Sequence, residues 1–191
     1  GTGNGDGVKI MSCQILSGGK DAGAGGTAKA VEYAADMGAC ILQNSWGYTD
    51  GFTSDGAYAN YDGGAELAAF RYFMSMSNCS AMEGNVVIFA AGNDAQPSAN
   101  YPGAYNEFIA VTAYAPDGMP TTYTCYDKGC NVAAPGGESE VVGNQGFVDY
   151  GCVLSTLPAE APDAEHSRDG VVQTYGADYG YMQGTSMACP H

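Results

Sequence analysis

The sequence predicts an α/β fold in which helices cover both faces of a mainly parallel sheet. Short, continuous apolar runs alternate along the chain with segments of helix-forming residues, as in sheets whose strands are buried on both faces. The chain has 191 residues and is 45 % hydrophobic, which is enough for one domain with a sizeable core. We therefore expect a three-layer architecture built around about five or six strands.

The apolar runs predict the strands, and the segments between them predict two helices. A helix is expected at residues 27–37, with Ala30, Val31, Ala34 and Ala35 on one face and Gly38 as its C-terminal stop. A second helix is expected from residue 66 to about residue 82. An aromatic, glycine-rich excursion at 48–64 separates them, and an acidic loop at 158–169 resembles a linker. The predicted strands are 8–16, 39–42, 85–91, 108–113, 132–134 and 153–156.

The charge balance argues against two classes of partner. The formal net charge is −15, and the chain has only six lysines and arginines, with no basic run. Nucleic acids and anionic membranes are bound by clustered cations, so we expect neither partner. No apolar run approaches the ~18 residues that span a bilayer.

The seven cysteines do not form a metal-binding pattern, because no CxxC pair occurs. Cys13 and Cys40 lie in apolar runs and are expected to be buried thiols. Cys125 and Cys130 bracket a turn-like segment, so they either form a disulfide or remain thiols. A disulfide there would suit an extracellular or periplasmic protein.

Residues 23–28 (Gly-Ala-Gly-Gly-Thr-Ala) match the glycine fingerprint of dinucleotide-binding proteins. That site also needs an acidic residue for the ribose about 20 positions later. The residues there are Ile41, Leu42, Gln43, Asn44 and Ser45, none of them acidic. We therefore expect no nucleotide cofactor.

The C-terminal residues 184–191, Gly-Thr-Ser-Met-Ala-Cys-Pro-His, present Ser186 at the start of a predicted helix. Pro190 is tolerated there because the first turn of a helix has N–H groups without intrahelical partners. The hydrolase elbow G-x-S-x-G is not met, because Ala188 replaces its last glycine. The eight residues closely resemble the nucleophile motif of the subtilisin-like serine protease family, in which this serine attacks the peptide carbonyl.

The end of the clearest predicted strand is similar to a second motif of that family. Residues 87–93 (Val-Ile-Phe-Ala-Ala-Gly-Asn) resemble the strand that delivers the asparagine of the oxyanion hole. The resemblance assigns that role to Asn93, whose side-chain N–H donates to the tetrahedral intermediate. Considered alone, Asn93 could equally be an asparagine in an ordinary turn.

Further segments extend the resemblance over nearly the whole chain. It implies that Ser45, Trp46 and Gly47 pair with the substrate and form one wall of the specificity pocket. Ala90, Ala91 and Gly92 would form the opposite wall, and Asn100 the floor. Residues 131–136 match a structural strand and turn, whereas 48–64 and 137–151 look like insertions.

The catalytic aspartate and histidine of the family are not found in this sequence. Their Asp-Thr/Ser-Gly and His-Gly-Thr-His motifs do not occur. His191 belongs to the Ser186 motif as a structural residue, and His166 lies in a polar loop without a matching motif. We expect residues 1–191 to be a partial peptidase domain, incomplete at both ends, which needs the missing N-terminal segment of its precursor as a partner.

The resemblance thus implies a secreted or cell-envelope endopeptidase that acts on peptides and proteins through an acyl-enzyme on Ser186. It implies no required cofactor and no metal among the site residues, although family members use calcium as a structural ion, here with carbonyls at 103–108. Without its base, the chain alone is expected to be inactive. The competing hypothesis is a non-catalytic peptide-binding or structural module.

Overall fold

The structure is a computed structural model that describes most of the chain. The described residues are 7–17, 20–21, 26–49, 51–141, 147–148, 151–156, 172–174 and 177–191. The predicted acidic loop at 158–169 lies outside them. The chain divides into two compact units, Gly1–Leu42 with Gly56–Val87 and Gln43–Asp55 with Ile88–His191.

The described secondary structure consists of four helices and short strands. The helices are α1 Gly26–Asp36, α2 Asp55–Ala59, α3 Ala65–Ser75 and α4 Thr185–Ala188, with a 3-10 turn at Tyr61–Gly64. The strands are β1 Leu16–Ser17, β2 Lys20–Asp21, β3 Ile41–Asn44, β4 Val86–Ala90, β5 Ile109–Tyr114, β6 Val132–Pro135, β7 Glu140–Val141, β8 Phe147–Val148, β9 Val153–Thr156, β10 Val172–Thr174 and β11 Ala177–Met182.

The main sheet has four strands in the order β3-β4-β5-β6, which confirms the predicted α/β class. β4 and β5 are parallel, with Ile88 opposite Ile109, and β5 and β6 are parallel, with Val111 opposite Val132. The other described sheets are small and antiparallel, in the orders β10-β11-β9, β1-β2 and β7-β8.

The predicted strand at 8–16 is wrong for most of its length. Only Leu16 pairs, in the two-residue ladder with β2. Val8 and Ile10 are 88 % and 92 % exposed, respectively. A strand needs neighbouring backbone groups to satisfy its N–H and C=O groups, and no described strand offers them to residues 8–15. The sheet therefore has fewer strands than predicted.

In the first unit, α1 packs against α3. Val31, Ala34 and Ala35 are buried as predicted, whereas Ala28 is buried in place of Ala30. The prediction of a helix reaching residue 82 is wrong, because α3 ends at Ser75 and Met76 is extended.

The segment after α3 is held in place by a side chain rather than by helical bonds. Asn78 Nδ2 donates to the carbonyls of Ala35 and Ala39, at 3.0 and 2.9 Å. Ala35 lies in the last turn of α1 and Ala39 just beyond it, where carbonyl groups lack intrahelical partners. Asn78 thus ties the segment after α3 to the C-terminal end of α1, and Asn85 Nδ2 also donates to the Ala39 carbonyl, at 2.9 Å.

The second unit has a core of small side chains where α4 packs on β5 and β6. Its members are Ala90, Val111, Ala113, Ala134, Ala188 and Cys189. All seven cysteines of the chain are described, and all are free thiols, so Cys125 and Cys130 form no disulfide. Cys13 and Cys40 are half-buried, not fully buried as predicted.

Candidate active site

The second unit contains every residue that the sequence predicts for the site. Ser45, Trp46 and Gly47 follow β3, and Gly92 and Asn93 follow the end of β4 by two and three positions. In a parallel sheet, groups beyond the carboxyl ends of neighbouring strands lie at one edge, where ligands commonly bind. The start of α4 meets both segments through hydrogen bonds.

Ser186 and Ser45 form a reciprocal pair of hydrogen bonds. Ser186 Oγ donates to the carbonyl of Ser45 at 3.1 Å, and Ser45 Oγ donates to the carbonyl of Ser186 at 2.7 Å. Gln43 Nε2 donates to Ser45 Oγ at 2.6 Å. The half-buried Ser186 hydroxyl therefore has a neutral carbonyl as its acceptor, and that carbonyl cannot take the proton.

Asn93 is oriented by the residue that precedes Ser186. Its Oδ1 accepts from Thr185 N and from Thr185 Oγ1, both at 2.8 Å. A backbone N–H can only donate, so the facing atom is the oxygen, and the amide nitrogen points away. Asn93 is exposed, and no described residue accepts a hydrogen bond from its Nδ2. Its two N–H donors are therefore available to a ligand.

Gly184 leaves the space beside these donors empty. Its φ of +147° favours glycine, and a Cβ there would lie 3.4 Å from Asn93 Nδ2 and 3.7 Å from Ser186 N. Within the described part of the chain, no acceptor bonds to Ser186 N–H either. Because α4 has only four residues, these individual N–H groups, rather than a helix dipole, supply the positive field.

Asn100 lies between the two predicted pocket walls. Its N–H donates to the carbonyl of Ala91 at 2.7 Å. A Cβ on Gly92 would lie 2.5 Å from Asn100 Nδ2, and a Cβ on Gly47 would lie 3.6 Å from Asn100 Cβ. Gly92 therefore allows the asparagine to approach closely, whereas a side chain at Gly47 would meet it only in ordinary contact. Ala90 and Ala91 are buried.

Asn100 is held by a carboxylate that follows Asn93 directly. Asn100 Nδ2 donates to Asp94 Oδ2 at 2.7 Å. Asp94 is exposed, and no described lysine or arginine hydrogen-bonds to its carboxylate. The residue predicted as the pocket floor is thus an amide with a negative charge next to it.

The side chain of Trp46 packs in an aromatic cluster. Its ring contacts Phe89 and Tyr48 edge-to-face, with centroids 5.4 and 5.6 Å apart, and its Nε1 donates to Asn44 Oδ1 at 3.2 Å. Tyr48 N–H donates to the carbonyl of Tyr101 at 2.6 Å, in an antiparallel bridge. The backbone after β3 is therefore already paired at Tyr48.

Two perturbed groups near the site stay neutral at ordinary pH. Burial, and then the hydrogen bond from the Tyr101 hydroxyl to Asp55, raise the pKa of Tyr101 to about 12. Burial also raises the pKa of the Cys189 thiol, which lies 3.7 Å from the carbonyl of Asn44. A protonated, buried thiol is a weak nucleophile, so Cys189 does not compete with Ser186.

No described imidazole contacts Ser186. His191 Nδ1 lies 2.8 Å from the carbonyl of Met187 on its own helix, which fits the structural role that the motif predicts for it. His166 lies outside the described residues. Among the described residues, no group of three or more His, Cys, Asp or Glu side chains could hold a metal ion. The predicted carbonyl site for calcium at 103–108 stays a prediction.

Sequence reasoning missed two residues that position the site. Thr185 orients Asn93, and Asp94 anchors Asn100. The only signal for each was its place next to a predicted functional residue. The partner of Thr185 is distant in the sequence, and the partner of Asp94 is brought close by a turn. No local sequence pattern therefore identifies either residue.

The whole chain matches a protein-family model. The model is described as the Subtilase family and covers residues 1–191. Halolysin from Haloferax mediterranei is 33% identical over 141 residues, which are 71% of this chain and 24% of halolysin. Thermitase from Thermoactinomyces vulgaris is 26% identical over 187 residues, which are 96% of this chain and 48% of thermitase. The chain thus spans half or less of each of these relatives.

A solved structure has a similar fold. The protease from Pseudoalteromonas arctica PAMC 21717 superposes with a TM-score of 0.63 and 28% sequence identity, over 93% of this chain and 46% of that protein. No helix among the described residues is long and apolar enough to cross a membrane.

Proposed function

Because the chain belongs to the subtilase family, we propose that it forms the nucleophile-bearing part of a serine endopeptidase. Ser186 is the nucleophile, and Asn93 Nδ2 and Ser186 N–H form the oxyanion hole. The general base and its aspartate come from a segment of the precursor outside these 191 residues, because neither family motif occurs here.

The reaction proceeds through an acyl-enzyme. Ser186 Oγ attacks the carbonyl carbon of the substrate while its proton passes to the supplied histidine. The carbonyl oxygen becomes an oxyanion, which accepts hydrogen bonds from Asn93 and Ser186. The C–N bond then breaks, and the histidine returns the proton to the leaving amine. Water then attacks the ester of the acyl-enzyme through the same steps, which releases the acid product and frees the Ser186 hydroxyl.

The orientation of the Asn93 amide is the observation that carries this proposal. Two bonds from Thr185 occupy its oxygen and leave its N–H groups beside the space at Gly184. In an ordinary turn, the asparagine side chain would hydrogen-bond to the backbone of the turn itself. A donor fixed beforehand loses no reorganisation energy when charge develops in the transition state.

Substrate binding uses the segment after β3. The peptide would pair as an added strand with Ser45, Trp46 and Gly47, and its side chain would enter between Gly47 and Gly92. The partners are therefore peptides and proteins. We also propose secretion or a cell-envelope location, which the family resemblance implies.

Kinetics of single variants of the full-length protein test the proposal. Ser186→Ala should abolish acyl-enzyme formation, whereas Ser75→Ala, at the exposed end of α3, should match the wild type. Asn93→Leu should lower kcat about 10²–10³-fold and change KM little, because its hydrogen bond strengthens in the transition state. A raised KM with unchanged kcat would show that Asn93 binds the ground state instead.

A second candidate function applies to the 191 residues alone. Ser186 Oγ donates to the Ser45 carbonyl, and no described imidazole replaces that acceptor. A chain with this arrangement can hold a peptide without cleaving it. This observation favours a non-catalytic peptide-binding module when the rest of the precursor is absent.

A further inference from the structure

The carbonyl of Ser186 depends on a side chain for its hydrogen bond. In a continuing α-helix it would accept from the backbone N–H of residue 190, four positions later. Residue 190 is a proline, which has no N–H group. The hydroxyl of Ser45 takes the place of that donor, with its Oγ 2.7 Å from the Ser186 carbonyl oxygen. The nucleophile is therefore tied on its carboxyl side to the segment that follows β3.

Gln43, the third residue of β3, sets the direction in which this hydroxyl donates. Its Nε2 donates to Ser45 Oγ at 2.6 Å. A serine hydroxyl has a single proton and accepts through its lone pairs. Because a lone pair of Ser45 Oγ faces the Gln43 amide, the Ser45 proton remains for the Ser186 carbonyl. An acceptor at position 43 would take that proton and leave the carbonyl without a donor.

A second contact of Gln43 reaches the same segment of the chain. The buried thiol of Cys189 lies three positions after Ser186. Burial raises the pKa of this thiol, and hydrogen bonds with the side chains of Gln43 and Ser45 act in the opposite direction. A hydrogen bond that lowers the pKa of a thiol is one donated to its sulfur, which fits an amide whose nitrogen lies on this side. Gln43 thus meets the nucleophile segment twice, once through Ser45 and once directly.

We propose that Gln43 is a positioning residue for the nucleophile, because its amide orients the Ser45 hydroxyl that holds the Ser186 carbonyl in place of the missing backbone donor. This inference rests on the proposed function, since it gives Gln43 a part in acylation by Ser186. Thr185 fixes the Asn93 amide on the amino side of Ser186. Gln43, acting through Ser45, supplies the corresponding restraint on the carboxyl side.

Variants of similar size in the full-length protein separate the donor from the bulk of the side chain. At pH 8, the carboxylate in Gln43→Glu is ionised and can only accept, so the Ser45 hydroxyl should turn towards it and away from Ser186. We expect kcat to fall about tenfold while KM stays within about twofold of the wild-type value. Gln43→Met, which removes the donor without inverting it, should lower kcat about threefold. Gln43→Lys, which keeps a donor, should stay within about twofold of the wild type.

Titration with an acylating active-site probe relates each rate to the amount of competent Ser186, so a misfolded fraction does not count. Gln14→Glu is the matched control, because it makes the same exchange at an exposed glutamine whose Nε2 donates to the Leu16 carbonyl at 3.1 Å. Its kcat should equal that of the wild type. In a Ser45→Ala background, Gln43→Glu should have no further effect on kcat, because the hydroxyl through which it acts is absent.

The possible outcomes distinguish this inference from the proposed function. A wild-type kcat in Gln43→Glu, or an equal loss in Gln43→Glu and Gln43→Lys, overturns the role of the Gln43 donor and leaves the protease intact. A raised KM with unchanged kcat does the same, because the substitution would then disturb substrate pairing rather than Ser186. A full-length protein whose Ser186 no acylating probe labels overturns the proposed function and this inference together.

Discussion

The hydroxyl of Thr185, which precedes Ser186 in the nucleophile motif, provides a test of how the proposed oxyanion hole is built. Thr185 is 1 % exposed, and its hydroxyl makes two hydrogen bonds. It donates to Asn93 Oδ1 at 2.8 Å and accepts from Gly92 N–H at 3.1 Å. Thr185→Val keeps the shape of the side chain and removes both bonds.

The two lost bonds have separable consequences. The Gly92 N–H is left without its acceptor, which should lower the free energy of unfolding by about 1–3 kcal/mol. Asn93 keeps its bond from Thr185 N, because a backbone donor survives the substitution. Because one of the two hydrogen bonds that orient Asn93 remains, we expect kcat to fall about tenfold, which corresponds to ~1.4 kcal/mol of activation free energy. This loss is much smaller than the loss in kcat expected when Asn93 itself is replaced.

A double-mutant cycle separates positioning from any independent role. Steady-state kinetics and urea unfolding of the full-length protein are measured for Thr185→Val, Asn93→Leu and the double variant, with Thr185→Ser as the control that keeps the hydroxyl. If Thr185 acts through Asn93, Thr185→Val should have no further effect on kcat in the Asn93→Leu background. Equal losses in both backgrounds would refute the reasoning.

Two further predictions concern the pocket and the isolated chain. Gly92→Ala should destabilise the protein by about 1–3 kcal/mol, because φ is +116° there and a Cβ would lie 2.5 Å from Asn100 Nδ2. Urea unfolding checks this against Gly118→Ala, where φ is also positive but the space is open; equal losses would mean that the contact contributes nothing. The 191 residues alone should hydrolyse chromogenic peptides no faster than their Ser186→Ala variant, and Ser186-dependent turnover would contradict this.

The sequence predicted those parts of the site that are encoded locally. Ser186 and Asn93 each stand at the end of a short pattern, a glycine turn before a helix or a buried strand before a turn. The strand is confirmed as β4, Val86–Ala90, within one residue at each end of the predicted range. Their role assignments stay predictions.

The parts that were missed depend on partners far away in the chain. Thr185 and Asn93 are 92 positions apart, so neither segment reveals the hydrogen bonds that orient the amide. The run at 8–16 is apolar enough for a strand, but pairing is decided by what lies beside it. α3 was predicted too long because helix propensity does not register that Asn78 caps carbonyls near the end of α1.

The approach of α4 to the sheet requires a position without a side chain at the end of β6. A Cβ on Gly136 would overlap Ala113 Cβ and lie 2.9 Å from the carbonyl of Gly184, and Gly184 N–H donates to the carbonyl of Gly136 at 3.0 Å. Contacts between backbone groups therefore contribute most to the position of Ser186 at the edge of the sheet.

Saturation mutagenesis should therefore divide the second unit into two sharply different classes of position. Substitutions at Gly136 should be rejected, alanine included, because a methyl group there would overlap Ala113, and substitutions at Gly184 should be disfavoured because its φ is +147°. The exposed side chains of Gln96 and Pro97 should accept most residues. A mutant library of this unit should diversify such exposed positions and leave both glycines unchanged.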